Sequence, residues 1–218
     1  MNERTFVAAL ALLCVPVLGA SRASAQAAED RDLRLGAHLA LGFGGDADVF
    51  SDPGVTSSAA LDPTVGFALR AELPVLDFVA IGGLFEALTF QADSDTFGRD
   101  RTRKWAFDFD AFARVRYVIE LPDAGLFLEP YLLLPLGFSF GMLHDLDGDG
   151  DEAWPGWNTG VLAGLSVLTA SGLGGFLELG WRHHEVYTQW TVPFIGSNVD
   201  VSLVTNQFAL NLGFVAVL

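Results

Sequence analysis

The sequence predicts an all-β protein, an eight-stranded antiparallel up-and-down transmembrane β-barrel preceded by a cleaved signal peptide. Hydrophobic residues make up 51% of the chain and mean hydropathy is +0.38, yet the formal net charge is −15, so apolar and acidic residues must be separated in space. No run of about twenty apolar residues follows residue 25, which argues against transmembrane helices. Instead, apolar residues alternate with polar or small ones in segments of about ten, as in membrane-spanning strands.

The clearest of these segments covers residues 105–121. Every second position, from Trp105 through Phe109 to Leu121, is apolar, and the positions between them carry five charges. Side chains alternate between the two faces of a strand, so one face is wholly apolar and the other is charged. Both faces are in a suitable environment if the charged face lines a polar barrel interior and the apolar face meets an apolar solvent outside the barrel.

Residues 1–25 are predicted to be the signal peptide and residues 26–218 the barrel. An apolar run ends at Leu18, and Ala23-Ser24-Ala25 supplies the small residues of a signal-peptidase site. Cleavage after Ala27 is the alternative. The only cysteine, Cys14, lies inside the apolar run, so we expect a barrel without disulfides or thiolate metal sites.

The acidic charge restricts the partners. Loss of Glu3, Arg4 and Arg22 with the signal changes the net charge from −15 to −16. Nucleic acid is disfavoured as a partner, because a phosphate-binding surface needs basic residues.

Seven connections, alternately long and short, join the predicted strands. The long polar connections are 44–61, 92–104, 142–156 and 186–200, the last aromatic enough to extend its hairpin beyond the membrane. The short turns are 74–77, 121–125 and 170–174. The third strand has the least clear phase, and a bulge near Gly82 and Gly83 is an alternative there. The strands are predicted at 33–43, 65–73, 78–91, 105–121, 126–140, 157–167, 177–184 and 205–218.

Aromatic residues support a membrane barrel. Trp105, Trp157 and Trp181 fall toward the long connections, where an interfacial belt belongs, and Tyr117 marks the opposite end of its strand. A soluble lipocalin-like barrel is the structural alternative. It would place Leu and Phe inside, whereas the minority face here carries Gly, Ala, Ser and charges.

In this architecture the chain resembles the small eight-stranded outer-membrane proteins of the OmpA transmembrane-domain, OmpX and OmpW type, over residues 32–218. The resemblance implies an integral protein of the bacterial outer membrane. It also implies insertion by the barrel-assembly machinery and contact with outer-membrane lipid and lipopolysaccharide.

Charged residues assigned to the inward face form the first candidate site. An eight-stranded barrel is just wide enough for its side chains to fill, so buried charges there should pair. An ion-paired plug is the main interpretation and a narrow conduit is the alternative. The predicted lumen network comprises Arg70, Glu72, Glu86, Asp108, Asp110, Arg114, Arg116, Glu120, Glu129, Glu178 and Arg182, with His184 beside it.

Two loops carry further candidates. Asp145, Asp147, Asp149 and Asp151 have the alternating spacing of the first half of a calcium loop, although Gly156 stands where such loops place a bidentate Glu. A solvated acidic loop is the alternative. Arginine is well shaped for lipid phosphate, so a basic group beside Trp105 is predicted to contact lipopolysaccharide. That group is Arg99, Arg101, Arg103 and Lys104.

An enzyme on this barrel is the least favoured alternative. A lipid A-modifying hydrolase or acyltransferase needs His, Ser and a carboxylate close together near the outer rim. His183, His184 and Glu185 are the cluster to consider, with Ser139 or Ser202 as nucleophile. We therefore expect a non-enzymatic barrel without a cofactor, calcium aside, that serves envelope integrity or surface interaction. A narrow pore or transport barrel for ions or small hydrophobic molecules is the alternative.

Overall fold

The computed structural model describes residues 33–51, 54–90, 104–144, 151–191 and 198–218 as one antiparallel barrel. Within these ranges no helix is long and apolar enough to cross a membrane. The strands are β1 (Arg34–Ser51), β2 (Gly54–Ala60), β3 (Thr64–Leu76), β4 (Val79–Phe90), β5 (Lys104–Arg116), β6 (Ile119–Leu121), β7 (Leu126–His144), β8 (Asp151–Thr169), β9 (Leu173–Thr191) and β10 (Asn198–Val217).

The described strands close into a ring of eight positions. The order around the ring is β1, β3, β4, β5, β7, β8, β9 and β10, and β10 pairs back onto β1. The short strands β2 and β6 do not add positions. β2 pairs with the part of β1 beyond the β1–β3 ladder, and β6 pairs with β7 just beyond β5. Closure gives the backbone groups partners inside lipid, and the predicted eight-stranded barrel is confirmed.

The two ends of the barrel differ. We call the end marked by Phe90, Lys104, His144 and Thr191 the loop end, and the opposite end, marked by Leu76, Leu121 and Leu173, the turn end. At the turn end a single 3-10 turn at Pro122–Ala124 joins β6 to β7.

Burial along the strands follows the predicted alternation. In β5, Asp108, Asp110 and Arg114 are buried in the interior, while Phe109 and Val115 between them are exposed on the outer wall. The β4 register with β3 is continuous through Gly82 and Gly83, so the bulge considered there is absent.

The outer wall is an apolar belt. Phe138, Phe208 and Phe214 are 70%, 68% and 78% exposed. A contiguous surface of this kind is not stable in water and matches the hydrocarbon of a membrane. Trp157 and Trp181 lie well inside their strands, because β8 and β9 continue past them toward the loop end. The wall therefore extends beyond the interfacial belt.

This extension corrects the prediction of a long loop at 44–61. β1 runs through to Ser51 and pairs there with both β10 and β2. Its register shifts between Phe43 and Asp46, where Gly44 and Gly45 have φ of 60° and 98°. The left-handed conformation that glycine permits lets the strand continue with one bulge.

The loop end also contains a slit in the wall. The register between β8 and β9 starts at Gly156 and Val186. Among the described strands, β8 residues 151–155 pair with β7 alone, and β9 residues 187–191 pair with β10 alone. A hydrogen bond of 2.6 Å from Thr188 Oγ1 to Glu152 Oε1 crosses the slit.

Candidate functional site

Charged side chains occupy inward positions on several strands, and they alternate with smaller groups of buried apolar residues such as Phe112 and Leu133. Every charged residue predicted for the lumen is buried there except Glu120. Glu120 lies exposed on β6. β5 ends at Arg116, and residues 117–118 interrupt the strand before β6 begins, so the alternation read through to residue 121 does not continue across this break.

Near the turn end, Arg114 is the centre of a group that we call the turn-side cluster. Its guanidinium donates to Glu72 Oε2 at 2.9 Å and to Glu129 Oε2 at 2.7 Å, and it lies 4.3 Å over the Tyr131 ring. Arg116 reaches Glu129 at 3.4 Å. Arg34, on the strand opposite β7 in the ring, reaches Glu129 at 2.6 Å. Three guanidinium groups therefore face two carboxylates.

Glu178 lies at the middle of the lumen. Arg70 is ion-paired to it, and its guanidinium packs 3.7 Å over the Phe176 ring. The Tyr131 hydroxyl donates to Glu178 at 2.7 Å and the Asn211 amide donates at 2.9 Å. The Glu178 carboxylate on β9 thus contacts side chains from β3, β7 and β10.

Toward the loop end, Arg182 is surrounded by three carboxylates, and we call this group the loop-side cluster. Its Nη2 lies 3.0 Å from Asp110, 3.3 Å from Asp108 and 3.4 Å from Glu86. Asn158 donates to Asp110 at 2.8 Å and accepts from Arg182 at 3.0 Å. One guanidinium therefore faces three acids.

Asp108 organises the remaining polar contacts of the loop-side cluster. Ser139 Oγ donates to Asp108 Oδ1 at 2.6 Å, and His184 Nε2 lies 2.8 Å from Asp108 Oδ2. Ser139 and His184 thus both bind the aspartate between them. This differs from a hydrolase triad, in which the histidine contacts the serine.

The other members considered for catalysis lie elsewhere. His183 packs between Trp157, at 4.9 Å between ring centroids, and Trp181, at 5.7 Å. Its Nδ1 is 2.9 Å from Asn206. Glu185 accepts from Trp157 Nε1 at 3.1 Å. By the alternation of β9, His183 and Glu185 face away from His184, on the outer wall.

Beyond the loop-side cluster the described interior is lined mainly by apolar side chains. A group of buried apolar residues fills the extended part of the barrel, and we call it the apolar plug. A cavity of about 40 Å³ separates it from the loop-side cluster. Leu61, Leu88, Ala106, Val186 and Leu203 form the cavity walls, and Thr64, Ser139, His184 and Gln207 its polar side. The apolar plug comprises Ala47, Leu61, Leu143, Trp154, Val186, Val201 and Leu203.

Sequence reasoning missed several members of the interior. Arg34 was not among the predicted lumen residues, although it lies on β1 directly opposite Glu72 of β3 and pairs with Glu129. His38 is buried with its ring centroid 5.5 Å from that of Phe176, and neither of its ring nitrogens has a hydrogen-bond partner among the described residues. The apolar plug was missed because most of it falls in segments predicted as loops.

The loop candidates fall largely outside the described residues. The signal segment 1–25, Arg99, Arg101, Arg103, Asp145, Asp147 and Asp149 all lie there. Lys104 is the first residue of β5 and Asp151 the first of β8. In the described part of the chain, no group of three or more His, Cys, Asp or Glu side chains could hold a metal ion.

Comparison with known proteins identifies the fold. No protein-family model matches the sequence, and no curated protein is significantly similar to it. Neisserial surface protein A has a TM-score of 0.48 at 16% identity, covering 84% of this chain and 96% of its own. AlkL, solved in lipid bilayers, has a TM-score of 0.49 at 14% identity, covering 87% of this chain and 90% of its own. The outer membrane protein OprG from Pseudomonas aeruginosa superposes with a TM-score of 0.56 at 9% identity, covering 86% of this chain and 95% of OprG. With the lipid-facing belt, the likeness to OprG shows that this chain has the fold of an integral outer-membrane β-barrel.

Proposed function

We propose that the protein is a non-enzymatic integral outer-membrane barrel with a closed lumen, and that it serves envelope integrity or surface interaction through acidic extracellular loops. The observation that carries this proposal is the ion pairing across the lumen. Arg182 on β9 reaches Glu86 on β4, and Arg34 on β1 reaches Glu129 on β7. Each of these pairs joins strands four positions apart in the ring of eight, so it spans the interior.

Closure follows from size and electrostatics together. An eight-stranded barrel leaves room for little besides its side chains. A permeating ion would have to separate paired charges in a site of low dielectric, where breaking a buried pair is costly. The apolar plug adds a second barrier in series, because an apolar constriction excludes hydrated ions.

Single-channel recording in planar lipid bilayers tests the closed lumen. We expect the purified wild-type barrel to give no steady openings, and the double variant Arg114→Ala, Arg182→Ala to leak more often. A control variant, Leu212→Ala, changes the lipid-facing wall only. Ohmic, charge-selective openings of the wild type would contradict the proposal and favour a narrow ion pore.

Surface contact is the second part of the proposal. We infer that Arg99, Arg101, Arg103 and Lys104 contact lipopolysaccharide phosphate, since arginine binds phosphate in a bidentate manner. Replacing the three arginines by glutamine should weaken binding of lipopolysaccharide micelles in a salt-dependent manner. Unchanged binding would remove this contact from the proposal. The barrel-assembly machinery is the partner that we propose for insertion.

Calcium is proposed for the third long loop. Asp145, Asp147, Asp149 and Asp151 would supply carboxylate oxygens, which calcium prefers. Isothermal titration of the folded protein with calcium should give heat near millimolar concentration, and Asp147→Asn with Asp149→Asn should abolish it. An absence of heat in the wild type would leave a solvated acidic loop.

A second candidate function is the uptake of small hydrophobic molecules at the loop end. The observation that favours it is the cavity between the apolar plug and the loop-side cluster, whose walls include Leu88, Val186 and Leu203. Small apolar cavities of this kind bind xenon or similar probes. Under xenon pressure, amide resonances of residues 186 and 203 should shift in the micelle-bound protein.

Variants locate the xenon site. Leu203→Phe should fill the cavity and remove these shifts, whereas Leu212→Phe, a matched substitution on the exposed lipid face, should leave them. Shifts confined to lipid-facing residues would refute the second candidate function.

A further inference from the structure

The turn-side cluster contains more positive than negative charge. Its arginines are Arg34, Arg114 and Arg116, and its acids are Glu72 and Glu129. A guanidinium is not deprotonated in proteins, so three positive charges face at most two negative ones. We propose that this cluster binds a phosphate group at the turn end of the lumen, between the guanidinium groups of Arg34 and Arg116. The site lies at the opposite end of the barrel from the cavity of the second candidate function.

The two carboxylates need fewer arginines than the cluster supplies. Arg114 alone donates to both acids, at 2.9 Å to Glu72 Oε2 and at 2.7 Å to Glu129 Oε2. Arg34 contacts the same Glu129 Oε2 at 2.6 Å, and Arg116 lies 3.4 Å from Glu129 Oε1. Glu129 therefore faces three guanidinium groups, and the positive charge that the two acids cannot neutralise is available to another anion.

The accessible part of the cluster is cationic. The side chains of Arg34 and Arg116 are 12% and 7% exposed. The acids are shielded, since the Glu72 and Glu129 side chains are only 1% and 2% exposed. Arg34 is the first residue of β1 and Arg116 the last of β5, so both side chains lie at the turn end. An anion at this end therefore meets guanidinium groups rather than carboxylates.

Unpaired donors on the same arginines indicate a ligand. The Nε atoms of Arg34, Arg114 and Arg116 are buried and have no hydrogen-bond partner among the described residues. Buried donors without a partner are uncommon in folded proteins and call for a bound water molecule or ion. Glu72 Oε1 is the one unpaired acceptor among the described atoms of the cluster, and it lies 4.0 Å from Arg116 Nη1. Unpaired donors thus outnumber unpaired acceptors.

The chemistry of guanidinium favours phosphate over a simple halide. The planar fork of an arginine donates two parallel hydrogen bonds, and a phosphate group offers several oxygens at the matching spacing. Arg34 and Arg116 both reach the Glu129 carboxylate, so their guanidinium groups are neighbours that one phosphate could bridge. Chloride accepts hydrogen bonds without this geometric match. A free phosphate ion and the phosphate of a lipid headgroup share the chemistry that the site requires.

Two phosphate probes test the site on the wild-type protein in maltoside micelles, whose headgroups carry no phosphate. Inorganic phosphate and a short-chain phosphatidylglycerol are titrated at pH 7 and constant ionic strength, with binding read from the Nε–H resonances of Arg34 and Arg116. A saturable shift that chloride does not produce supports the site, and the probe that causes it distinguishes a free phosphate from a lipid headgroup. The inference is overturned if neither probe shifts these resonances, or if chloride shifts them at the same concentration.

Removal of one accessible arginine tests the cause. Arg34→Gln leaves Glu129 paired with Arg114 and Arg116, so the barrel should fold. Phosphate affinity should fall at least tenfold, because a charge-assisted hydrogen bond and the surplus charge are both lost. Asp123→Asn removes an exposed charge from the 3-10 turn at the same end and should not weaken binding. If Arg34→Gln fails to fold, Arg116→Gln, which also leaves Glu129 with two arginines, should give the same loss. Unchanged phosphate affinity in the folded variant overturns the inference, whereas the closed lumen is tested separately by conductance.

Discussion

Replacement of Arg182 by methionine should destabilise the barrel by about 3–5 kcal/mol, the cost of leaving buried charges without their partner. Among the described residues, no other arginine or lysine pairs with the carboxylates that surround Arg182. Glu86 and Asp110 have no other ion-pair partner among the described residues, and Asp108 keeps only His184. Methionine has a comparable length, so the loss is mainly electrostatic.

Arg114→Met provides the internal comparison. The Arg114 side chain is 1% exposed and pairs with two carboxylates at 2.9 Å and 2.7 Å, which is closer than any of the Arg182 pairs. After its loss, however, Glu129 keeps Arg34 at 2.6 Å and Arg116 at 3.4 Å, and Glu72 keeps Arg116 at 4.0 Å. We expect a smaller cost for this variant, about 1–3 kcal/mol.

Urea titration of the protein folded into phospholipid vesicles, followed by tryptophan fluorescence, measures both free energies of unfolding. Adding Asp110→Asn to Arg182→Met should restore part of the lost stability, because one fewer unpaired carboxylate remains. The reasoning is wrong if Arg182→Met lies within about 1 kcal/mol of wild type, or if Arg114→Met is the more destabilised of the two.

Three further predictions use the same unfolding measurement. Leu136→Arg, on the lipid face midway along β7, should lower the free energy of unfolding by about 2–4 kcal/mol. Tyr187→Arg, beyond the aromatic belt, should lower it by at most about 1 kcal/mol. Equal losses would contradict the assigned membrane position. Gly164→Ala should cost about 1–3 kcal/mol, because its Cβ would lie 2.3 Å from the Tyr131 ring, while Gly83→Ala, with its nearest contact at 3.9 Å, should stay within about 0.5 kcal/mol. Trp154→Phe should be tolerated within about 1 kcal/mol, because the buried Trp154 Nε1 has no hydrogen-bond partner among the described residues. Trp154→Ala should cost about 3–5 kcal/mol, and a larger loss for phenylalanine than about 1 kcal/mol would indicate a hydrogen bond to bound water.

The sequence was sufficient to predict the number of strands and the faces of most of their side chains. In β5, lipid on one side and paired charges on the other enforce a strict period of two, which is visible without a structure. The same period failed at Glu120, because a break of two residues between β5 and β6 changes the orientation of the β6 side chains. Periodicity predicts a face only while the strand is continuous.

The extended loop end was not predictable in the same way. Beyond the aromatic belt no lipid imposes alternation, and the Gly, Asp and Ser of residues 44–61 have turn propensity. Pairing with β10 and β2 nevertheless holds β1 as a strand through Ser51. One signal was present: the inward face of β10 changes from polar at Gln207 to apolar at Leu203 and Val201, which marks the apolar plug.

Because of the slit between β8 and β9, backbone amides in different parts of the barrel should exchange their hydrogens at different rates. Among the described strands, residues 151–154 and 187–191 have a neighbouring strand on one side only, so the opening free energies of their backbone amides should lie far below that of the whole barrel. Deuterium should enter there first, while the continuous ladders toward the turn end retain their protons longest. Unravelling would then start at the loop end and proceed along the barrel, and the hairpins at the turn end would be the last to separate.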